Sequence, residues 1–181
     1  MKKIALPLSE PATRLDDTFY HRDVVTVAQE LIGKKLVWHG WEGIITETEA
    51  YGDEGDEASH AARGITPRSA IMFGPPGYVY VYLIYGMYHC LNIVTDDTGK
   101  GGAVLIRGLS VGELHLDGPG KICRHLAITK SHNGLQVCTN EACYLTTGIT
   151  ASYEALPRIG IKKATDKLWR FRMTEPYLEH V

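Results

Sequence analysis

A dense run of acidic residues lies near position 50, where the chain reads ITETEAYGDEGDEASH. Glu47 and Glu49 stand two positions apart in a β-prone segment that ends on Tyr51. Alternate residues of a strand share a face, so one face would carry Ile45, Glu47, Glu49 and Tyr51. The two carboxylates would lie about 6.5–7 Å apart, and Ala50 would face the other side. A solvated polar face is the simplest interpretation, but the apolar residues before the pair and the long polar loop after it favour a functional site.

Three kinds of chemistry would use this acidic segment. Hard cations prefer several oxygen ligands, and a metal site would draw on Glu47, Glu49, Asp53, Asp56 and His60. That interpretation is weak, because the chain has neither a DxDxDG calcium loop nor an HExxH motif. A sugar-cleaving enzyme would use both glutamates, whose spacing matches the inverting geometry. In the third interpretation a single glutamate activates water while Tyr51 stacks on a planar substrate.

Tyrosines crowd a second β-prone segment, which contains Tyr78, Tyr80, Tyr82, Tyr85 and Tyr88. Alternation predicts that the first three share a face and that the intervening aliphatic residues face the core, which is ordinary sheet packing. Tyr85 differs because it stands beside Gly86 at the predicted tip of a hairpin. An exposed ring at such a tip is typical of a wedge between base steps or a stacking platform for unpaired bases.

Basic residues accompany these segments at Arg63, Arg68, Arg107, Lys121, Arg124 and Lys130. For any one of them a solvated surface charge is the simplest interpretation. GPGKIC predicts a helix opened by Pro119 with a cation close behind, where free backbone N–H groups favour phosphate. We therefore predict phosphate contacts from Arg68, Lys121 and Arg124.

Composition sets broader limits. The 181 residues carry a net charge of −2, with 6 Lys and Arg against 12 Asp and Glu in residues 1–60 and 13 against 9 in the remainder. Net charge argues weakly against a nucleic-acid binder, yet this distribution still allows a basic face. Four cysteines without a CxxC pair predict buried thiols in a reducing compartment. No apolar run approaches the roughly 18 residues of a membrane span, and we predict a cytoplasmic protein.

The predicted elements form one α+β domain over residues 1–181, with 1–17 as an extended lead-in. Asp23 predicts the N-cap of a helix over VVTVAQELIG. Strands are predicted at KKLVWH, EGIITETEAY, YVYVYLIYG, MYHCLNIVT and AVLIRGL, a helix at GPGKICRHLAI, and three more strands at ACYLTT, LPRIGI and LWRFRMT. The prediction is a mostly antiparallel β-sheet with a protruding tyrosine-rich hairpin and flanking helices.

Six strings in this order and spacing resemble the alkyladenine (methylpurine) DNA glycosylases over about residues 18–175: TETEAY, DEASH, YVYLIYGMYHCLNI, AVLIRGL, GPGKICRHLAI and PRIGI. Each string alone is weak, but six in sequence are highly specific. The resemblance implies a single-domain monomer that excises alkylated or deaminated purines from double-stranded DNA. The implied lesions are of the 3-methyladenine, ethenoadenine and hypoxanthine type. It implies no metal, no cofactor and no covalent lyase step, and a cytoplasmic enzyme that associates with the nucleoid when bound to DNA.

The resemblance also implies roles for individual residues. Glu49 matches the family's water-activating carboxylate, and Arg107 matches the cation that positions the water and a nearby phosphate. Tyr51 matches the ring that stacks on one face of the flipped base. His60 and Tyr82 match the pair that closes the other face, with His60 also placed to hydrogen-bond the base edge.

Two further matches concern flipping and selectivity. Tyr85 matches the intercalating wedge that fills the gap left by the flipped nucleotide. Asn92 matches the side chain that clashes with the exocyclic amino group of normal guanine.

Two functions from other classes remain open on the sequence. A damage-recognition or RNA-binding module would share the aromatic and basic residues but would not require Glu49. A hydrolase of free nucleosides or sugars would use Glu47 and Glu49 but would have no use for an exposed Tyr85.

Overall fold

The structure is a computed structural model that describes residues 11–174. Its helices are α1 (Asp17–Tyr20), α2 (Val24–Glu30) and α3 (Pro119–His125), with short 3₁₀ helices at His60–Arg63, Ala70–Phe73 and Lys130–His132. Its strands are β1 (Lys35–Trp38), β2 (Trp41–Tyr51), β3 (Val79–Ile84), β4 (Tyr88–Val94), β5 (Ala103–Val111), β6 (Leu114–Asp117), β7 (Cys143–Thr146), β8 (Tyr153–Leu156) and β9 (Arg170–Met173). Of the predicted lead-in, residues 1–10 lie outside the described residues, and Arg14 forms an isolated antiparallel bridge with Thr146.

Within residues 11–174, the strands form one sheet in which every pairing is antiparallel. Its main path runs β3-β4-β5-β2-β1-β7, while β6 pairs with β5 and β9 joins β8 to β2. Helix α2 packs on β2 and α3 on β4. These features confirm the predicted α+β class. No helix in this part of the chain combines the length and apolar character needed to cross a bilayer.

Helix α2 begins where the sequence predicts. The Asp23 carboxylate accepts hydrogen bonds from the N–H groups of Val25 and Thr26, both at 3.1 Å, and so satisfies two donors that the first turn leaves unpaired. The Thr48 hydroxyl donates to the Ala28 carbonyl at 2.8 Å. The helix is thereby tied to β2, the strand that carries the acidic pair.

The predicted alternation along β2 is wrong at its start. Ile45 was predicted on the face of Glu47 and Glu49, but it is fully buried in the main core together with Ala50. The pairing of β2 with β5 shifts register between Ile45 and Glu47. A bulge adds a residue to one strand and reverses the alternation beyond it. The strand can therefore bury Ile45 in the core and still turn both glutamates towards the opposite side.

The predicted strand over LPRIGI is also wrong. Strand β8 ends at Leu156, and residues 157–161 form an irregular loop. Pro157 has no N–H group to donate to a ladder, and Gly160 adopts a left-handed φ of +75°. The two neighbouring predictions, ACYLTT and LWRFRMT, are confirmed as β7 and β9.

Strands β3 and β4 form the predicted hairpin, with Ile84 paired to Tyr88 next to the turn. Val79 and Val81 are buried in the main core, as the alternation predicts. Tyr80 belongs instead to a second apolar cluster, against which Tyr51 and Tyr82 pack. The tyrosine face of the hairpin and the end of β2 therefore meet on one side of the sheet.

Candidate active site

A cavity of about 750 Å³ lies between the ends of β2 and β5, the β3–β4 hairpin, the start of α3 and residues 159–161. Its volume falls in the ordinary range of small-ligand sites. The structure brings every predicted site residue to its wall: Glu49, Tyr51, His60, Arg68, Tyr82, Tyr85, Asn92, Arg107, Lys121 and Arg124.

Glu49 is fully buried at this wall. Its Oε2 atom accepts a hydrogen bond from the Tyr51 hydroxyl at 2.7 Å, and its Oε1 atom accepts one from the Ile159 N–H at 2.8 Å. The Arg107 Nε atom lies 3.7 Å from Oε1. Burying a carboxylate is costly unless it is paired and hydrogen-bonded. These partners hold Glu49 in one orientation.

Glu47 is held differently. Its Oε1 atom accepts a hydrogen bond from Arg170 Nη1 at 2.8 Å and lies 3.5 Å from Arg107 Nε. It does not line the cavity. The interpretation in which Glu47 and Glu49 act together on a sugar therefore loses support, because only Glu49 reaches the space where a substrate would lie.

Tyr51 lies between the cavity and the protein interior. The guanidinium carbon of Arg158 is 4.7 Å from the centre of the Tyr51 ring, and Arg158 itself does not line the cavity. Burial and the Glu49 carboxylate raise the pKa of Tyr51 well above its usual range. Its hydroxyl stays protonated, so it remains a hydrogen-bond donor to Glu49.

His60 and Tyr82 form an aromatic pair on the same cavity, with ring centroids 4.7 Å apart and planes at 78°. The His60 Nδ1 atom is hydrogen-bonded to the Tyr80 hydroxyl at 2.9 Å. Burial, helped by the nearby Arg68 charge, lowers the pKa of His60 to about 4. The imidazole is therefore neutral at neutral pH, with its Nδ1 position occupied and its orientation set.

We expect the His60 ring to titrate near pH 4 in an NMR experiment that follows the imidazole resonances of the protein. The ordinary pKa is 6.5 and the folded value is about 4, so the unfolded chain takes up the proton first as pH falls. His60 thus contributes stability above pH 6.5 that is lost as pH falls through this window. In Arg68→Gln the midpoint should rise, because a repelling charge is removed. A midpoint near 6.5 in the unaltered protein would contradict the expectation.

Asn92 is buried at the cavity wall, on β4. Its amide nitrogen donates to the backbone carbonyls of Tyr80 at 3.1 Å and Cys90 at 3.3 Å. Two backbone acceptors fix the orientation of the amide. A rigid polar group at this place can discriminate between ligands by their shape and hydrogen-bonding groups.

Comparison with known proteins identifies the family. Residues 18–176 match the family model described as methylpurine-DNA glycosylase (MPG). The chain belongs to this family. It is 52% identical over 164 residues to a protein of Sodalis glossinidius, which covers 88% of this chain and 96% of the relative. A protein of Rickettsia peacockii (strain Rustic) is 51% identical over 161 residues, which cover 87% of this chain and 88% of the relative. A protein of Ehrlichia ruminantium is 50% identical over 164 residues, which cover 87% of this chain and 87% of the relative.

All three relatives carry the name "Putative 3-methyladenine DNA glycosylase". The family match confirms the resemblance seen in the six sequence strings. It also confirms the enzyme class: a monofunctional DNA N-glycosylase, which hydrolyses N-glycosyl bonds and takes DNA as its substrate.

Tyr85 occupies the turn between β3 and β4. It is 79% exposed and has a left-handed φ of +53°. Met87, two residues further on, is 65% exposed. The side chains of Tyr85 and Met87 are large but do not pack in the core. Their exposure at the hairpin turn therefore suits a contact with another molecule.

The three predicted phosphate contacts have different surroundings. The Arg68 guanidinium carbon lies 5.2 Å from the Tyr82 ring centre, so Arg68 is part of the aromatic wall. Lys121 is exposed and paired with Asp117. Arg124 is exposed on α3. All three border the cavity, and their roles towards phosphate stay predictions.

Two of the carboxylates named in the metal interpretation are bound to other groups of the protein. Asp53 Oδ2 accepts a hydrogen bond from the Gly101 N–H at 2.8 Å, and Asp56 forms an ion pair with Arg158 at 2.6 Å. Among residues 11–174, no three His, Cys, Asp or Glu side chains are grouped so that they could hold a metal ion.

Sequence reasoning missed the contribution of PRIGI to the site. The string was one of the six that carry the resemblance, but its periodicity suggested only a strand. In the structure Ile159 supplies an N–H group to Glu49, and Arg158 pairs with Asp56 behind Tyr51. Pro157 and Gly160 were the available signals, because both residues disfavour a regular strand.

Proposed function

We propose that the protein is a base-excision repair glycosylase that flips and hydrolytically removes alkylated or deaminated purines from double-stranded DNA. The proposed lesions are of the 3-methyladenine, ethenoadenine and hypoxanthine type, and the proposed enzyme acts as a monomer in the cytoplasm, on the nucleoid. The observation that supports this most is the position of Glu49, a buried carboxylate at the wall of a cavity lined by aromatic rings.

Flipping comes first, because a base inside a duplex cannot reach a catalytic group. Extrusion costs a few kcal/mol and costs least at damaged pairs. Tyr85 offsets part of this cost by filling the vacated stack. Its exposure at the hairpin turn, at the rim of the cavity, supports that role.

Recognition follows inside the cavity. The flipped purine stacks on Tyr51 on one side and meets His60 and Tyr82 on the other. A cationic alkylated purine gains a cation–π attraction of about 0.5–2 kcal/mol from electron-rich rings, which a normal purine lacks. A neutral base such as hypoxanthine lacks this attraction and must be recognised by a different interaction. The neutral His60 ring offers one, since Tyr80 occupies Nδ1 and leaves the other nitrogen for the base edge.

Cleavage of the N-glycosyl bond develops positive charge on the sugar. Glu49 stabilises that charge and removes a proton from the water that attacks C1′. The Ile159 N–H and the Tyr51 hydroxyl each donate to one carboxylate oxygen and so hold the carboxylate in place for the proposed step. Arg107, 3.7 Å from Oε1, orients the water and approaches the neighbouring phosphate.

We expect the protein to release the base from a duplex that carries one hypoxanthine or ethenoadenine. The strand should break only after alkali, because a monofunctional glycosylase leaves an intact abasic site. A matched duplex with adenine at the same position is the control. Binding without scission would instead favour a recognition module, and hydrolysis of free inosine without action on the duplex would favour a nucleoside hydrolase.

A further inference from the structure

We propose that the buried Arg158–Asp56 pair is a positioning device for the reaction, which sets the backbone around Tyr51 and the N–H group that holds Glu49. The inference deepens the proposed function, since it assumes that Glu49 is the general base. Neither residue lines the cavity, so the pair acts through Tyr51, Glu49 and the loop of residues 157–161.

The pair holds the end of β2 on both sides of Tyr51. Arg158 Nη1 donates to the Ala50 carbonyl at 2.8 Å, and Asp56 Oδ2 accepts a hydrogen bond from the Gly52 N–H at 2.9 Å. The guanidinium also lies against the Tyr51 ring on its interior side, at 4.7 Å. Three contacts from one pair thus fix the residue before Tyr51, its ring and the residue after it.

The same pair holds the segment that contacts Glu49. Arg158 directly precedes Ile159, whose N–H donates to Glu49 Oε1 at 2.8 Å. This segment lies outside any strand, so no ladder of backbone hydrogen bonds determines its position. The link from Arg158 to Asp56, with Oδ1 and Oδ2 at 2.6 and 2.8 Å, anchors it to the loop that follows β2.

Stability alone is a poor explanation for this pair. Both side chains are completely buried, and the cost of desolvating two charges often exceeds their mutual attraction. Apolar residues of similar size commonly stabilise a fold equally well. A forked guanidinium, by contrast, offers directional donors that fix several acceptors at once. The pair therefore contributes geometry at a site where misplacement by about 1 Å can cost about a hundredfold in rate.

The test is Arg158→Lys, which keeps the charge beside Asp56 but loses the forked donors and the flat contact with Tyr51. We expect the single-turnover rate of base release to fall about 10–100-fold. Affinity for a duplex with an uncleavable, uncharged abasic analogue should stay within about threefold, because that ligand has no base to stack on Tyr51 and develops no sugar charge for Glu49 to stabilise.

Arg172→Lys is the matched control. Arg172 also binds a carboxylate through two nitrogens, at 3.0 and 2.6 Å from Glu154 Oε1, but it is exposed on β9 and does not line the cavity. Its rate of base release and its affinity for the abasic duplex should equal those of the unaltered protein. Asp56→Asn, which weakens the pair from the other side, should reproduce the changes seen in Arg158→Lys.

A native single-turnover rate of base release in folded Arg158→Lys or folded Asp56→Asn would overturn the inference. Amide hydrogen exchange of the unaltered protein gives a check that needs no variant: the Ile159 amide should be strongly protected, and exchange as fast as in an unstructured peptide would also overturn it. Failure of the proposed function is distinguishable, since the unaltered protein would then release no base at all.

Discussion

Replacing Glu49 with glutamine should lower the single-turnover rate of hypoxanthine or ethenoadenine release by about 10²–10⁴-fold, the usual contribution of a general base. Affinity for the damaged duplex should stay within about threefold of native. The substitution removes the charge that accepts the proton from water and that stabilises the cationic sugar. It leaves the aromatic walls, the hairpin turn and the basic residues in place, so flipping and binding continue without cleavage.

The structure indicates why Glu49→Gln should fold normally. Glutamine has nearly the same shape as glutamate, and its carbonyl oxygen can accept the Ile159 N–H bond that Oε1 accepts now. Its NH₂ group can donate to the Tyr51 hydroxyl, which reverses its present role as donor. Both buried contacts are then retained, which favours a small effect on stability.

Glu47→Gln is the matched control on the same strand. Glu47 contacts Arg170 and Arg107 and does not line the cavity. We expect a loss of less than about tenfold, from a slightly altered Arg107 position rather than from the loss of a reacting group. Rapid base release by Glu49→Gln, or an equal loss in both variants, would contradict the assignment of the general base to Glu49.

The local part of the site was predictable because alternation along a strand is a short-range property. On β3 it correctly divides Val79 and Val81, in the main core, from Tyr80 on the other face. On β2 it correctly places Glu49 and Tyr51 together, but it fails at Ile45. The bulge there depends on the pairing of β2 with β5. The sequence of β2 alone does not contain that information.

Contacts between segments that are distant in the sequence could not be predicted from the periodicity of apolar residues. Glu49 and Ile159 are separated by 110 positions, and Asp56 and Arg158 by 102. On the sequence Asp56 was only a candidate metal ligand in a polar loop, and the fold shows its buried partner, Arg158. The resemblance, and not the pattern of apolar residues, led to the predicted role of His60 beside the base, since the loop around it has no periodicity that predicts its position.

Replacing Tyr85 should lower the affinity for the damaged duplex more than it lowers the rate of base release from the cavity. Stacking of an aromatic ring on a base is worth about 1–3 kcal/mol, so the loss of affinity should be about 5–150-fold. Tyr85→Ser removes the ring. Because position 85 has a left-handed φ of +53°, Tyr85→Asn is the better second variant, since asparagine tolerates that backbone more readily than most residues. Fluorescence anisotropy with a lesion-bearing duplex measures the effect.

A single-stranded oligonucleotide with the same lesion separates flipping from pocket chemistry. A single strand leaves no gap in a base-paired stack for the Tyr85 ring to fill. The rate of base release at saturating protein should therefore change little in either Tyr85 variant. Leu114→Ser is the control for loss of an exposed apolar side chain, since Leu114 is 45% exposed but does not line the cavity. Unchanged duplex affinity in Tyr85→Asn, or equal losses on duplex and single strand, would show that the ring does not act as a wedge.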